Sequence, residues 1–385
     1  MDWLVRAPRR SRQVAVVRIG VAAAWLVSLV CEWPVREGIY GPDGPWAWPM
    51  AGEVIRSLHS FSLLSLTPGP GFSLCVHLVA AAAAVQLLLG WHTRTAAVFF
   101  LLGVLSLQNY AWPLGYGADT AVRLTALYLV AVRSGRAWSL DAYLAGRGRK
   151  SPGVAGVVLW VVLGGLLAAG AAGPGAGRLR LQIALWLVWA GQAWAWWVRR
   201  RPDAGGARGL EALANAVHNA VVVVMMCQVV VLYYTAGMSK LAEATWRQGT
   251  AVYYALHVTT SPWPSLTALI CSSSVLVAAL TWGTVVLQVS FPFALLHPRT
   301  KNWALIATFF EHCGIALLMA LWYFSLAVLA ADAIWLPTGP LRRLGGRLRT
   351  QRERASAYVR EAHADAAPVS SPRPPGALTP PRRKA

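Results

Sequence analysis

The chain has 385 residues, of which 56% are hydrophobic and only 13% charged, with a formal net charge of +20. Soluble proteins carry about 25% charged residues, so the polar surface of a water-soluble fold of this size is missing. Charge gathers at the ends and in short breaks between apolar runs, the distribution of an all-α integral membrane protein. The excess is mostly arginine beside apolar segments, as in Arg6, Arg9, Arg10 and Arg12. No recognition motif accompanies it, so it indicates orientation and attraction to anionic lipid headgroups rather than nucleic-acid binding.

In chain order, residues 1–13 form a basic tail, and Val14–Cys31 is the first apolar run. Its basic-then-apolar pattern resembles a signal peptide. No small-residue cleavage site with a soluble domain follows, so it is expected to be a retained first helix. Further candidate spans are Ser73–Gly90, Thr95–Ala111, Thr120–Val132, Gly153–Ala172, Leu179–Val198, Leu213–Tyr234, Ser272–Leu296 and Asn302–Leu321. Trp322–Leu336 is a short tenth element or a continuation, so the bundle is expected to have roughly nine or ten spans. Ala251–Cys271, broken by Pro262 and Pro264, reads as an interfacial or re-entrant piece.

The Lys/Arg bias of the short loops sets the expected orientation. Arg-rich segments before the first helix, at Arg133–Lys150, at Arg199–Arg208 and at His297–Lys301 fall on one side, the cytoplasm. The expected location is therefore a cell membrane, multi-pass, with a cytoplasmic N-terminus. Return of Trp322–Leu336 would bring the basic tail to the same side. Residues 14–336 form the expected membrane domain. Residues 337–385, basic and proline-rich, cannot bury a core and are expected to be largely disordered. No internal repeat is visible.

The 20 tryptophans suit interfacial belts, and the five cysteines form no CxxC pair or metal-site spacing. A Cys31–Cys75 bridge is not readable from spacing. Nucleotide-binding, zinc-protease and serine-hydrolase motifs are absent.

Ionisable residues inside apolar segments are functional candidates in a membrane protein. Lys240, at the outer end of a long helix, is either a snorkelling anchor or a desolvated amine, and desolvation favours the neutral, basic form. Glu311 and His312 stand together in an apolar helix, as a helix–helix hydrogen-bonding pair or as a proton relay. His218 and Asn219 lie in the helix that leads to Lys240, with Asn215, Asn219 and Met226 roughly on one face and His218 beside it, as helix–helix hydrogen-bonding groups or as part of a site. Asp119 and Arg123, four apart at a helix start, are explained by helix-terminus electrostatics and pairing one turn on. No metal site is expected.

The segment Tyr233-Tyr234-Thr235-Ala236-Gly237-Met238-Ser239-Lys240-Leu241, followed by Trp246 and Gly249, resembles the signature of the HTTM (horizontally transferred transmembrane) domain family, shared with the membrane domain of vitamin K-dependent γ-carboxylase. Gln288-Val289-Ser290-Phe291-Pro292, the basic loop His297–Lys301, His312-Cys313-Gly314-Ile315, Phe324-Ser325 and Ser139-Leu140-Asp141 are similar to later family features. The resemblance spans Val14 to Leu336. It implies that Lys240 is the base that deprotonates a vitamin K hydroquinone-like quinol, with His312 and Glu311 as polar neighbours. Tyr234, Trp246, His218 and Asn219 are the expected cofactor contacts. Three departures stand against a full match. The Lys-to-Trp spacing is one residue longer, Ser239 replaces a second lysine, and a basic tail stands where the carboxylase has a large further region. The expected function is therefore a carboxylase-like, quinol-using membrane enzyme. The alternatives are a non-catalytic accessory for peptide maturation or export, or a proton-coupled small-molecule transporter. The expected partners are the lipid bilayer and a small peptide or lipid-soluble substrate.

Overall fold

The structure, a computed structural model, describes residues 2–351 except 42–43, 45, 47, 59, 149–152, 172–175, 201–203, 259–261 and 348–349. The expected disorder of the tail concerns mainly residues from 352 onward, which lie outside the described residues. The chain divides into a large unit, Met1–Thr338, and a small one, Gly339–Ala385, whose described residues begin in helix.

All regular elements of the large unit are helical among the described residues. The principal helices are α1 (Ser11–Glu32), α2 (Pro70–Leu89), α3 (Thr93–Tyr110), α4 (Gly117–Ala131), α5 (Gly153–Ala171), α6 (Ala176–Arg200), α7 (Ala204–Ala242), α8 (Ala251–His257), α9 (Pro264–Cys271), α10 (Ser274–Ala294), α11 (Pro298–Met319) and α12 (Trp322–Asp332). Among the described residues five single helices are long and apolar enough to cross a membrane, Ser11–Tyr40 (α1 and its continuation), α2, α7 over Gly205–Ala242, α10 and α11, and a sixth candidate arises if the bent pair that begins at Trp322 counts as one span. The expected nine or ten is thus not reached by this measure. α4 has 15 residues and α12 has 11, and at about 1.5 Å per residue neither covers a hydrocarbon layer of about 30 Å.

Local sequence explains the boundaries. No proline interrupts Ala204–Ala242, so the expected span Leu213–Tyr234 becomes one helix of 39 residues. Pro262 and Pro264 separate the short helices α8 and α9, in agreement with the broken reading of Ala251–Cys271. Pro298 opens α11 at a position whose N–H needs no intrahelical partner, and the His297 ring accepts from the Arg299 N–H. Asp119 accepts the Tyr116 N–H at 2.9 Å in a capping box at the start of α4.

α1 and α12 pack antiparallel. The Arg10 guanidinium donates to the Ile334 carbonyl and Gln13 to that of Leu336, while Trp25, farther along, meets Tyr323 at 6.2 Å between ring centroids. A Cβ on Gly20 would lie 2.7 Å from the Cβ of Ala330, so glycine sets how closely these helices approach. α12 therefore returns to the end where α1 began. Basic groups gather at that end. Arg133 and Arg136 both bind Glu211, and Lys301 lies in the field of Arg10. All five cysteines are free, including the exposed Cys31 and Cys75.

Candidate functional site

Lys240 sits half-buried in the last turn of α7, with its Nζ 5.0 Å from the centroid of the Trp246 ring. The helix ends at Ala242, and the turn Ala244–Arg247 brings Trp246 to the lysine. Arg247 donates to the carbonyls of Leu241 at 3.0 Å and Ala242 at 2.6 Å. That arginine satisfies the helix C-terminus, which leaves the lysine free of that task.

Gly237, one turn before Lys240, explains the small residue of the motif. A Cβ there would lie 2.8 Å from Val289 Cγ2 and 2.9 Å from the Val289 nitrogen. Glycine lets α7 and α10 touch backbone to side chain, which brings Gln288 and Phe291 of α10 against the face of α7 that carries Tyr233, Gly237 and Lys240.

α11 supplies the other wall. Gln288 Nε2 donates to Glu311 Oε1 at 2.8 Å, and Lys240 lies in the electrostatic field of Glu311. His312, 3% exposed, approaches the Tyr233 hydroxyl with its Nε2 at 3.3 Å, and its ring lies 5.5 Å from that of Phe324. Tyr233 donates to Asp332 Oδ2 at 2.7 Å and stacks on Phe291 with ring centroids 4.1 Å apart. Because the phenol hydrogen is committed to Asp332, the histidine contact requires hydrogen on Nε2. The result is a directional chain from His312 through Tyr233 to Asp332.

Four buried polar atoms of this cluster have no hydrogen-bond partner: Glu311 Oε2, Gln288 Oε1, His312 Nδ1 and Asp332 Oδ1. Such atoms are rare in native proteins, and two of the four belong to Glu311 and His312, which lie in the electrostatic field of Lys240. Glu311 Oε2, Gln288 Oε1 and the unprotonated His312 Nδ1 are acceptors whose hydrogen-bonding capacity the protein does not use. Among the described residues no group of three or more His, Cys, Asp or Glu could hold a metal ion.

Lys240, Glu311, His312 and Trp246 thus come together, and the other expected contacts do not join them. Tyr234 is 47% exposed, because the residue after Tyr233 points off the packed face of α7. His218 and Asn219 lie 21 to 22 positions before Lys240, about 30 Å away along the helix. They hold the N-terminal segment. His218 Nδ1 accepts from the Arg133 N–H at 3.0 Å, and Nε2 meets the Arg9 carbonyl at 2.8 Å. Asn219 binds the Arg9 N–H and the carbonyls of Leu4 and Ala7. Two residues of the cluster are absent from the expected set, Tyr233 and Asp332. Asp332 is the lone carboxylate of the apolar run Trp322–Leu336, and that isolation is the signal that marks it.

The long apolar helices and the buried polar cluster define a membrane protein of the all-helical class. The HTTM domain family model matches residues 185–338, so the family resemblance carried by the Lys240 motif is supported over that range. The match holds α7 and α10 to α12, and with them every residue of the Lys240 cluster. The chain is also 34% identical over 119 residues to YitO, an uncharacterized protein of Bacillus subtilis (strain 168). That similarity covers 29% of this chain and 38% of the relative, so the chain spans little more than a third of it. No solved structure matches.

Proposed function

We propose that this protein is a multi-pass membrane enzyme of carboxylase-like type, in which Lys240 accepts a proton from a lipid-soluble quinol. The observation that carries the reading is the set of partnerless buried acceptors at Glu311, Gln288 and His312 beside a half-buried lysine. Lys240 in its neutral form takes the hydroxyl proton. The O–H bond breaks, its electron pair stays on oxygen, and an N–H bond forms at Nζ. Glu311 then faces the new ammonium, and the ring of Trp246 covers it. The His312–Tyr233–Asp332 chain fixes the imidazole so that Nδ1 faces the site as an acceptor. A bound quinol would supply the reducing equivalents and, after oxygenation, the strong base that a carboxylation needs.

The measurement that decides is hydroquinone-dependent oxygen uptake or epoxide formation by the purified full-length protein. Lys240→Ala should lower it by about 100-fold or more. Lys240→Arg should do the same, because arginine stays protonated. Absence of quinol-dependent turnover in the wild type would sink the reading and leave the accessory role. A fully active Lys240→Arg would make the lysine a membrane anchor.

A second reading, proton-coupled transport, is favoured by Asp332, a carboxyl only 4% exposed and linked through Tyr233 to the same site. It expects proton-coupled uptake that is lost in Glu311→Gln and Asp332→Asn.

The proposed orientation puts the end bearing Arg10, Arg133, Arg136 and Lys301 in the cytoplasm of a cell membrane and Lys240 toward the outer face. A fluorescent protein fused before Met1 should then fluoresce, and alkaline phosphatase fused there should stay inactive. The opposite pair of results would reverse it.

A further inference from the structure

A second polar site stands apart from the Lys240 cluster. At the end of the bundle away from the basic groups, α1, α3, α4 and α12 enclose an open cavity of about 310 Å³. Its walls include Trp25, Glu32, Tyr40, Tyr116, Asp119 and Tyr323. Tyr323 links the aromatic walls, with Trp25 on one side at 6.2 Å and Tyr116 edge-on at 5.8 Å.

Both carboxylates are held by neutral donors. Glu32 accepts from the hydroxyls of Ser28 and Tyr40. Asp119 accepts from Tyr323, from Gln108 and from the Tyr116 N–H. The phenols of Tyr40 and Tyr116 each lie in the field of both carboxylates, so the two negative charges converge on one space. Nearby cations offset them only in part. The Arg123 Nε donates to Gln108 Oε1 while its charge acts on Asp119, and Arg36 pairs with Glu37. A third observation is independent of the acids. Trp25 is only 2% exposed, and its indole N–H has no acceptor in the protein. A buried donor without a partner costs stability unless a guest satisfies it.

These features specify the guest. Two carboxylates between aromatic faces suit a cation that can sit on rings, which is the recognition used for organic ammonium groups. The indole donor asks for an oxygen acceptor on the same molecule. Cys31 also lines the cavity, but among the described residues no group of three or more His, Cys, Asp or Glu could hold a metal ion, so the donor set does not make a metal cage. We propose that this cavity binds an amino alcohol, an organic ammonium with a neighbouring oxygen, either free or as the headgroup of a lipid. The ammonium lies between Glu32 and Asp119 against the tyrosine rings, and the oxygen accepts from Trp25. This site does not rest on the reading of Lys240.

The test uses full-length protein in nanodiscs of phosphatidylglycerol alone, titrated with radiolabelled ethanolamine and choline. Parallel nanodiscs contain phosphatidylethanolamine, and native mass spectrometry reports which lipid stays bound. Saturable ethanolamine binding that persists in both discs identifies a free ligand. Retention of phosphatidylethanolamine with loss of ethanolamine binding in the mixed disc identifies a headgroup. Glu32→Gln should weaken the observed binding by at least tenfold, and Trp25→Phe, which keeps an aromatic ring, by about threefold or more. Asp119→Asn alters a helix cap, so the decisive variants are Glu32→Gln and Trp25→Phe, in protein that elutes and melts like the wild type. Absence of both ethanolamine binding and lipid selectivity, or binding unchanged in Glu32→Gln, would overturn the proposal.

Discussion

The hydroxyl of Tyr233 on α7 donates to the carboxyl of Asp332 on α12 at 2.7 Å. This bond joins the helix that carries the family motif to the last apolar helix of the bundle. It also decides which way the His312 contact runs. Tyr233→Phe keeps the stack on Phe291 but leaves the buried carboxyl with neither oxygen paired. The expected cost is about 1–3 kcal/mol, the penalty of a stranded buried acceptor. The double variant Tyr233→Phe/Asp332→Leu removes both polar partners and should recover part of that loss. Thermal unfolding in detergent checks both, and a double variant less stable than Tyr233→Phe alone would show that the hydroxyl is not what Asp332 depends on.

Gly237 and Gly209 both lie in α7, and the structure separates their roles. Nothing lies within 4 Å of a Cβ built on Gly209, whereas one on Gly237 meets Val289 at 2.8 Å. Gly209→Ala should therefore raise stability by up to about 1 kcal/mol through helix propensity. Gly237→Ala should lower it by about 1–3 kcal/mol, because α7 and α10 must separate. The same displacement moves Lys240 relative to Gln288, so under the proposed quinol chemistry Gly237→Ala should lose turnover and Gly209→Ala should not.

The Lys240 motif is legible in the sequence because its small residue, its lysine and its tryptophan lie close together and meet locally. Glu311 and His312 are legible as polar residues in an apolar run. Their division of labour is not. Neighbours on a helix point about 100° apart, so Glu311 turns to Gln288 while His312 turns to Tyr233, partners set by helix packing. Asp332 is easily missed because Trp322–Leu336 poses a question of crossing, and its one carboxylate passes for part of a scaffold. His218 and Asn219 have partners more than 200 positions away in the N-terminal segment, and no local pattern specifies such a pairing. Counting apolar runs does not fix the number of spans, because apolar composition also continues through helices such as α4, whose 15 residues are too short to cross alone.

His218 and Asn219 fasten residues 4–9 to α7 and do not reach the Lys240 end. Asn219→Ala removes three hydrogen bonds to that segment, and His218→Ala removes those to Arg9 and Arg133. Each should release the N-terminal segment, read as faster tryptic cleavage at Arg6 and Arg9 under native conditions. Under the proposed quinol chemistry, turnover should stay within about twofold of wild type, since neither residue touches the Lys240 cluster. A large loss of turnover with unchanged proteolysis would return both to the functional site.

Arg18 and Gly90 give the sharpest stability prediction. Gly90 ends α2 with φ +68°, a left-handed conformation that strains any residue with a Cβ. A Cβ there would also overlap Arg18 Nη1. Arg18 cannot give way cheaply. It is fully buried, and its guanidinium donates to the Trp138 carbonyl at 2.6 Å. Gly90→Ala should therefore combine a backbone penalty of about 1–2 kcal/mol with displacement of a buried charge, for a total of at least about 3 kcal/mol. Arg18→Met shortens and discharges the side chain, so in that background Gly90→Ala should cost less, leaving the backbone share and the approach to the Ser139 Cβ at 2.5 Å. The double-mutant cycle isolates the contact. Equal costs of Gly90→Ala in the two backgrounds would mean that Arg18 does not occupy the space above Gly90.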